Sequence, residues 1–340
     1  MKYIRKLPTI DELCQDNPLS VEEKNKREKR IIEIQNIISG KDDRKLLIIG
    51  PCSADKVESV LEYTLRLAKV SEKVQEKFLI VPRIYTGKPR TTGMGYKGML
   101  HNPAADDEEN LMEGVLAARQ MHMKVIRETG LFAADEMLYP EEKYYLGDLL
   151  AYLAVGARSV EDQGHRMAAS DDVIPVGLKN PTAGSKEVLI NSIIAAQQPH
   201  TLMYRGWEVQ TTGNKYAHSI LRGFTNKSNK SFANYHYDDL VELYDMCIKS
   251  QISNPGVIVD CNHANSSKKY NQQPRIAREV LASCRENSSI NTFFKGFMIE
   301  SYLEDGCQLP GQGVYGKSIT DPCLGWEKTE RLIYEMADLI

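Results

Sequence analysis

Eight short apolar runs, separated by longer amphipathic segments, constrain this chain more than any other feature. They fall at 46–49, 78–81, 131–134, 152–155, 174–178, 201–204, 257–259 and 297–299. Most are rich in β-branched residues and do not alternate apolar with polar, as strands covered on both faces should read. The segments between many of them carry a helical period. Residues 57–78 place Val60, Leu61, Tyr63, Thr64, Leu67 and Ala68 on one stripe, and 109–130 and 140–153 behave alike. Alternation of this kind predicts an α/β chain folded as a (β/α)8 barrel. At 340 residues the chain has room for that barrel and an extension. Gln210-Thr-Thr-Gly-Asn214 predicts a hairpin turn inserted near strand six.

Residues 1–40 read as a separate N-terminal arm, suited to oligomerisation, and 41–340 as the barrel. Ser20 and Glu23 form a capping box that starts a helix. The helix opens very polar, then shows a stripe of Ile31, Ile32, Ile34, Ile37 and Ile38, and Gly40 stops it. That stripe must be covered by the barrel or by a second subunit, which favours a homodimer or homotetramer. A net charge of −3 gives no general attraction to nucleic acid or anionic lipid, so any anion site is local. No apolar run approaches the roughly 20 residues that span a bilayer, and the N-terminus lacks a signal-like stretch, so cytoplasm is the expected location. Seven cysteines form no dense framework and are expected as thiols.

In this architecture chemistry gathers where strands end. Two groups of residues stand at those ends. Cys52, His263, Glu300 and Asp321 offer a thiolate, an imidazole and two carboxylates, a set suited to a divalent Mn, Fe, Co or Zn ion with room for a substrate oxygen. Arg83, Lys88, Arg90, Arg158, Lys179 and Arg222 form a cationic group suited to phosphates and a carboxylate. A cysteine alone is more often a small core residue, and a lone histidine a satisfied one; three partners outweigh that here. Cys261, Cys284 and Cys323 keep the core reading. His165 and His218 are candidates for lining the site. Asp321, followed by Pro322, is also a candidate helix N-cap. Arg278, Arg285 and Arg331 read as surface residues.

Nine stretches, in order, then become informative together: Gly50-Pro-Cys-Ser53, Lys88-Pro-Arg-Thr-Thr92, Asp135-Glu-Met-Leu138, Gly156-Ala-Arg158, Pro175-Val-Gly-Leu-Lys-Asn180, Leu221-Arg-Gly223, His263-Ala-Asn-Ser-Ser-Lys268 (with its Asn at 265), Glu300-Ser301 and Gly316-Lys-Ser-Ile-Thr-Asp321. The chain resembles the class I 3-deoxy-D-arabino-heptulosonate 7-phosphate (DAHP) synthases of the short, aromatic-regulated type. The resemblance implies condensation of phosphoenolpyruvate with erythrose 4-phosphate, the first step of the shikimate pathway. It implies Cys52, His263, Glu300 and Asp321 as metal ligands. Arg83, Lys88, Arg158, Lys179 and Arg222 would hold phosphoenolpyruvate, and Arg90 and Thr91 the phosphate of erythrose 4-phosphate. Lys88, with His263 and Cys52, would carry the chemistry; a surrounding cation cluster is expected to lower the Lys88 pKa.

The chain departs from the family pattern after strand five, where Lys179-Asn-Pro-Thr-Ala-Gly184 replaces the usual Lys-Asn-Gly-Thr-Asp-Gly, and at Asn262, where serine is usual. The resemblance also implies an aromatic amino acid effector bound near 168–175, where Val173 stands at a position commonly held by a smaller residue. Two other functions fit less well. A sister 3-deoxy-D-manno-octulosonate 8-phosphate synthase would show a different motif at 88–92, and a non-catalytic regulatory homologue would have no need of both residue groups.

Overall fold

The computed structural model describes residues 1–90, 93–104, 108–171, 174–204 and 206–340. Thr91, Val173 and Arg205 lie outside the described residues. Twelve strands appear in chain order among them: β1 Lys45–Gly50, β2 Phe78–Pro82, β3 Ala133–Met137, β4 Leu150–Val155, β5 Val176–Lys179, β6 Thr201–Tyr204, β7 Trp207–Gln210, β8 His218–Leu221, β9 Phe224–Thr225, β10 Ser231–Phe232, β11 Val257–Asp260 and β12 Phe294–Glu300. Eight of them form one parallel sheet in the order β2-β1-β12-β11-β8-β5-β4-β3. A parallel bridge from Arg83 to Ala134 joins its two edges and closes the barrel. Every residue of these eight strands is buried, which explains why their sequences do not alternate.

The sixth barrel strand is not the run at 201–204. β6 pairs only with β7, antiparallel, in a ribbon whose residues are exposed or half-buried. The barrel place belongs to His218-Ser-Ile-Leu221, which pairs with β5 and β11. The hairpin turn consequently precedes Trp207 and does not sit at 210–214.

The helices are α1 Ile10–Asp16, α2 Val21–Ile38, α3 Val57–Val74, α4 Leu111–Thr129, α5 Pro140–Leu146, α6 Gln163–Ala169, α7 Lys186–Gln197, α8 Tyr237–Lys249, α9 Gln273–Glu286, α10 Ser288–Phe293 and α11 Trp326–Leu339. α3 buries Val60, Tyr63, Leu67, Val70 and Val74, the spacing of a single face. α5 is shorter than the amphipathic pattern of 140–153, because β4 begins at Leu150.

α2 starts from the Ser20–Glu23 capping box and is followed by Gly40 with φ of 73°. It packs on β4 and β1, two strands well separated around the ring, and so lies across the N-terminal mouth of the barrel. Arg27 fixes it by donating to the carbonyls of Gly147 and Leu150 at 2.5 and 2.8 Å. Ile34, Ile37 and Ile38 are fully buried beneath it, at roughly 1.5–3 kcal/mol each. The barrel of the same chain therefore covers the isoleucine stripe, the exposed Ile32 excepted. Among the described residues no helix is long and apolar enough to cross a membrane.

Candidate functional site

Four barrel elements bring the donor set together at the C-terminal mouth. Cys52 follows β1, Glu300 ends β12, His263 follows β11, and Asp321 stands in the loop between β12 and α11. The donor atoms of Cys52, Glu300 and Asp321 all lie within 4.8 Å of one another. Cys52 Sγ is 3.6 Å from Asp321 Oδ2, and His263 Nε2 is 3.6 Å from Glu300 Oε1. His263 thus stands at the edge of the tight group of three. Its Nδ1 faces Asp260 Oδ2 at 2.7 Å, which leaves Nε2 toward the cluster. The backbone turns sharply there: His263, Ser267 and Lys268 have φ of 50°, 53° and 60°, a conformation that non-glycine residues hold only when their surroundings impose it.

The cluster fits a divalent cation. Burial, then the charge of Glu300, pushes the Cys52 thiol up to about 11, with Lys88 opposing. Such a thiol ionises readily only when a further positive charge joins the three acidic donors. Glu300 is rigidly set: Arg83 Nη2 donates to its Oε1 at 2.8 Å, Asn262 donates to its Oε2, and Gln273 bonds both its backbone N–H and C=O. Asn262, the departure from the usual serine, therefore supports a donor of the cluster.

Lys88 reaches into this group, donating to Cys52 Sγ at 2.7 Å and to Asp321 Oδ2 at 3.3 Å. The expected lowering of its pKa does not occur. Burial alone would lower it, but the negative charges of Cys52, Asp321 and Glu300 outweigh burial and raise it. Lys88 is thus a held proton. Asp321 also accepts from Lys268 at 2.8 Å, and these cations hold its carboxyl well below the usual range. It is not a helix cap, since α11 starts four residues later from Gly325.

The cationic residues flank the donors. Lys179 ends β5 and donates to Glu136 Oε2 at 2.7 Å, which draws that carboxyl down to about 2 against its burial. Gly156 makes this possible, because a Cβ there would lie 2.5 Å from Glu136 Oε1. The Arg222 guanidinium has no hydrogen bond or ion pair among the described residues; burial presses its pKa down, Arg158 adds to that and Asp260 opposes it. Arg90 stands between two cavities. One of about 320 Å³ also holds Lys88 and Arg158, and one of about 460 Å³ also holds Tyr96, Gln308 and Asp321. Arg83 differs from the others. Its guanidinium lies 2% exposed against Glu300 and the carbonyls of Pro51 and Cys52, stacked 3.8 Å over Tyr85.

Sequence reasoning did not find the supports: Asp260 behind His263, Glu136 behind Lys179, and Gln273 and Asn262 around Glu300. Only the first two carried a signal, as acids at strand ends. His165 and His218 do not line the site. His165 bonds Asp162 and the Leu138 carbonyl, and His218 bonds Tyr152 Oη and the Tyr216 carbonyl near the start of β8, away from the donors. The loop after Lys179 is tied down despite Pro181: Asn180 donates to the Pro181 and Gly223 carbonyls and accepts from Arg222 N–H.

Known proteins match this fold and sequence over nearly the whole chain. A phospho-2-dehydro-3-deoxyheptonate aldolase, Tyr-sensitive, of Salmonella typhimurium is 38% identical over 312 residues, 89% of this chain and 84% of that one. A Phe-sensitive aldolase of the same name from Escherichia coli strain K12 is 37% identical over 315 residues, 90% of this chain and 87% of its own. The solved structure of the phospho-2-dehydro-3-deoxyheptonate aldolase from Francisella tularensis SCHU S4 superposes with a TM-score of 0.92 at 31% identity, covering 100% of this chain and 98% of that one. With residues 20–333 matching the model of the DAHP synthetase I family, the chain belongs to that family.

Proposed function

We propose that this chain condenses phosphoenolpyruvate with D-erythrose 4-phosphate and water to give 3-deoxy-D-arabino-heptulosonate 7-phosphate and phosphate, the first step of the shikimate pathway toward aromatic amino acids. The observation that carries this reading is the convergence of Cys52, Glu300 and Asp321, with His263 beside them and Lys88 touching two of them, at the barrel mouth where the Arg222 guanidinium, unpaired among the described residues, also lies. A divalent cation held by Cys52, His263, Glu300 and Asp321 would supply Lewis-acid polarisation of the aldehyde oxygen.

The chain's own residues do the rest. Arg222, Arg158 and Lys179 hold the carboxylate and phosphate of phosphoenolpyruvate, with the charge of Arg83 below them. Arg90 and Thr91 hold the phosphate of erythrose 4-phosphate and so turn its aldehyde toward C3 of the enol ester. As that carbon bonds to the aldehyde carbon, Lys88 delivers its proton to the developing alkoxide. Positive charge then sits at C2, within reach of the field of Glu136 and Asp260. Water adds at C2, one of its protons returning to Lys88, and the C2–O bond to phosphate breaks as the second proton leaves with the phosphate and C2 becomes the ketone.

The assembly and location belong to the same reading. Residues 1–40 form an arm and 41–340 the catalytic barrel. The exposed Met203 and Trp207 on the β6–β7 ribbon support contact with a second copy, in a homodimer or homotetramer. The free state of all seven cysteines supports a cytoplasmic enzyme. The relatives' Tyr- and Phe-sensitive names support an aromatic amino acid effector.

The test is an assay of chelator-stripped protein reloaded with Mn, Fe, Co or Zn. Each is supplied with phosphoenolpyruvate and either erythrose 4-phosphate or arabinose 5-phosphate, and phosphate release is measured. Turnover with erythrose 4-phosphate alone is expected. Turnover with arabinose 5-phosphate alone would favour the sister synthase. No consumption under any metal, with no metal bound, would leave a non-catalytic homologue.

A further inference from the structure

A cavity of about 790 Å³, larger than either beside Arg90, opens at the opposite mouth of the barrel. Two lysines face it: Lys45, the first residue of β1, and Lys295, the second of β12. The Lys45 amine is engaged, donating to the carbonyls of Asn291 and Phe294 at 2.8 and 2.9 Å. Lys295 is only 5% exposed, yet its amine has no hydrogen-bond or ion-pair partner among the described residues. Gly256 makes room for its stem, and Gly40 lies in ordinary contact range of its amine. A Cβ at Gly256 would lie 2.8 Å from its Cγ, and one at Gly40 3.8 Å from its Nζ.

An amine on a mostly buried side chain loses hydration, and a second amine nearby adds repulsion. Both effects press Lys295 down to about 8, burial first and Lys45 second, with Asp43 opposing. Asp43 also lines the cavity and acts on both amines through its charge, but it makes no hydrogen bond or ion pair with either among the described residues. Asp42 is taken by a two-pronged contact with Arg44, Arg285 bonds the Leu339 carbonyl, and Glu76 and Lys77 oppose each other in sign. Ile37, Leu281 and Leu339 contribute apolar lining to the same cavity. The volume suits a metabolite-sized ligand.

We propose that this cavity binds a small organic anion, its carboxylate or phosphate group seated between the Lys45 and Lys295 amines and its apolar body against Ile37, Leu281 and Leu339. The site is separate from the catalytic mouth. β12 carries Lys295 near one end and Glu300 at the other, five residues apart, or roughly 16 Å of extended strand.

Trace acetylation of the whole protein with acetic anhydride, read at the Lys295 peptide by mass spectrometry, tests this without a variant. Benzoate and inorganic phosphate are the probes. Labelling of Lys295 should fall roughly tenfold once one anion exceeds its Kd by about an order of magnitude, while exposed Lys2 is unaffected. Protection by benzoate alone assigns a carboxylate, by phosphate alone a phosphate, and by both a site open to either. Because the readout is the Lys295 peptide, phosphate bound near Lys88 and Lys179 does not enter it. Calorimetry on Lys295→Met with the catalytic mouth saturated by phosphoenolpyruvate, and with turnover reporting that the variant is folded, should lose the binding event seen in the unaltered protein under the same conditions. Labelling of Lys295 indifferent to both anions would overturn the proposal. So would a folded Lys295→Met that binds the protecting anion as the unaltered protein does.

Discussion

The Lys88 amine stands 2.7 Å from the Cys52 sulfur and 3.3 Å from Asp321 Oδ2, so one proton donor touches two of the four candidate metal donors. An amine held there cannot titrate in the neutral range; its partners keep the proton on it. Lys88→Met removes the proton source and leaves the donor atoms in place. The expected outcome is a fall in kcat of about 10²- to 10⁴-fold with the metal stoichiometry unchanged. Steady-state kinetics alongside elemental analysis checks it. Turnover near the unaltered value at equal metal content would remove Lys88 from the chemistry.

Arg222 and Arg90 face different parts of the pocket, and their substitutions should separate by substrate. Arg222 lies among Arg158, Asp260 and Glu136, whereas Arg90 lines the groove toward Tyr96 and Gln308. Arg222→Met should raise KM for phosphoenolpyruvate by about 10- to 100-fold, the loss of a charge-assisted hydrogen bond or two. Arg90→Met should do the same for erythrose 4-phosphate. Both substrates shifting together in either variant would contradict the assignment.

How far the sequence carried this picture depends on whether a residue's neighbours are near it in the chain. Seven barrel strands were visible because strands buried on both faces show their burial in composition alone. The sixth was not, because β8 opens with His218 and Ser219, and a histidine fits a barrel interior only when Tyr152 and the Tyr216 carbonyl take its nitrogens. The competing run at Thr201–Tyr204 looked more strand-like, and it is a strand, but one that pairs outside the barrel. The donors Cys52, His263 and Glu300 were legible as strand-end residues. Charge balance was not. Lys88 meets Asp321 across 233 residues and Arg83 meets Glu300 across 217, and those contacts reverse one expected pKa shift and pair an expected anion clamp with a carboxylate.

His218 gives the fold a defined pH response. Burial, with the Tyr216 carbonyl opposing and Lys295 adding, lowers its pKa from 6.5 to about 4. The folded state thus keeps the ring neutral where the unfolded chain would protonate it. The stabilising contribution is complete above pH 6.5 and is lost as pH falls through about 4; at roughly 1.4 kcal/mol per unit it amounts to about 3 kcal/mol. Urea denaturation at pH 7 and pH 5 should show the unaltered protein losing more stability than His218→Gln. Equal losses in both would mean that the ring is not buried neutral.

The Arg83–Glu300 pair makes the last prediction, because it joins the barrel core to the donor cluster. Arg83 Nη2 and Glu300 Oε1 are 2.8 Å apart and 2% and 0% exposed. A buried pair of this kind contributes little net stability against a well-packed apolar pair, but losing one partner leaves the other charged and uncompensated. Arg83→Met should therefore cost about 3–5 kcal/mol, measured on chelator-stripped protein so that lost metal affinity does not add to the figure. Glu300→Gln in the same chain removes the stranded charge and keeps the bonds to Asn262 and Gln273, so the double variant should be more stable than Arg83→Met alone. A double variant less stable than the single one would mean that Arg83 acts by packing against Tyr85 and Met298 and not through the carboxylate.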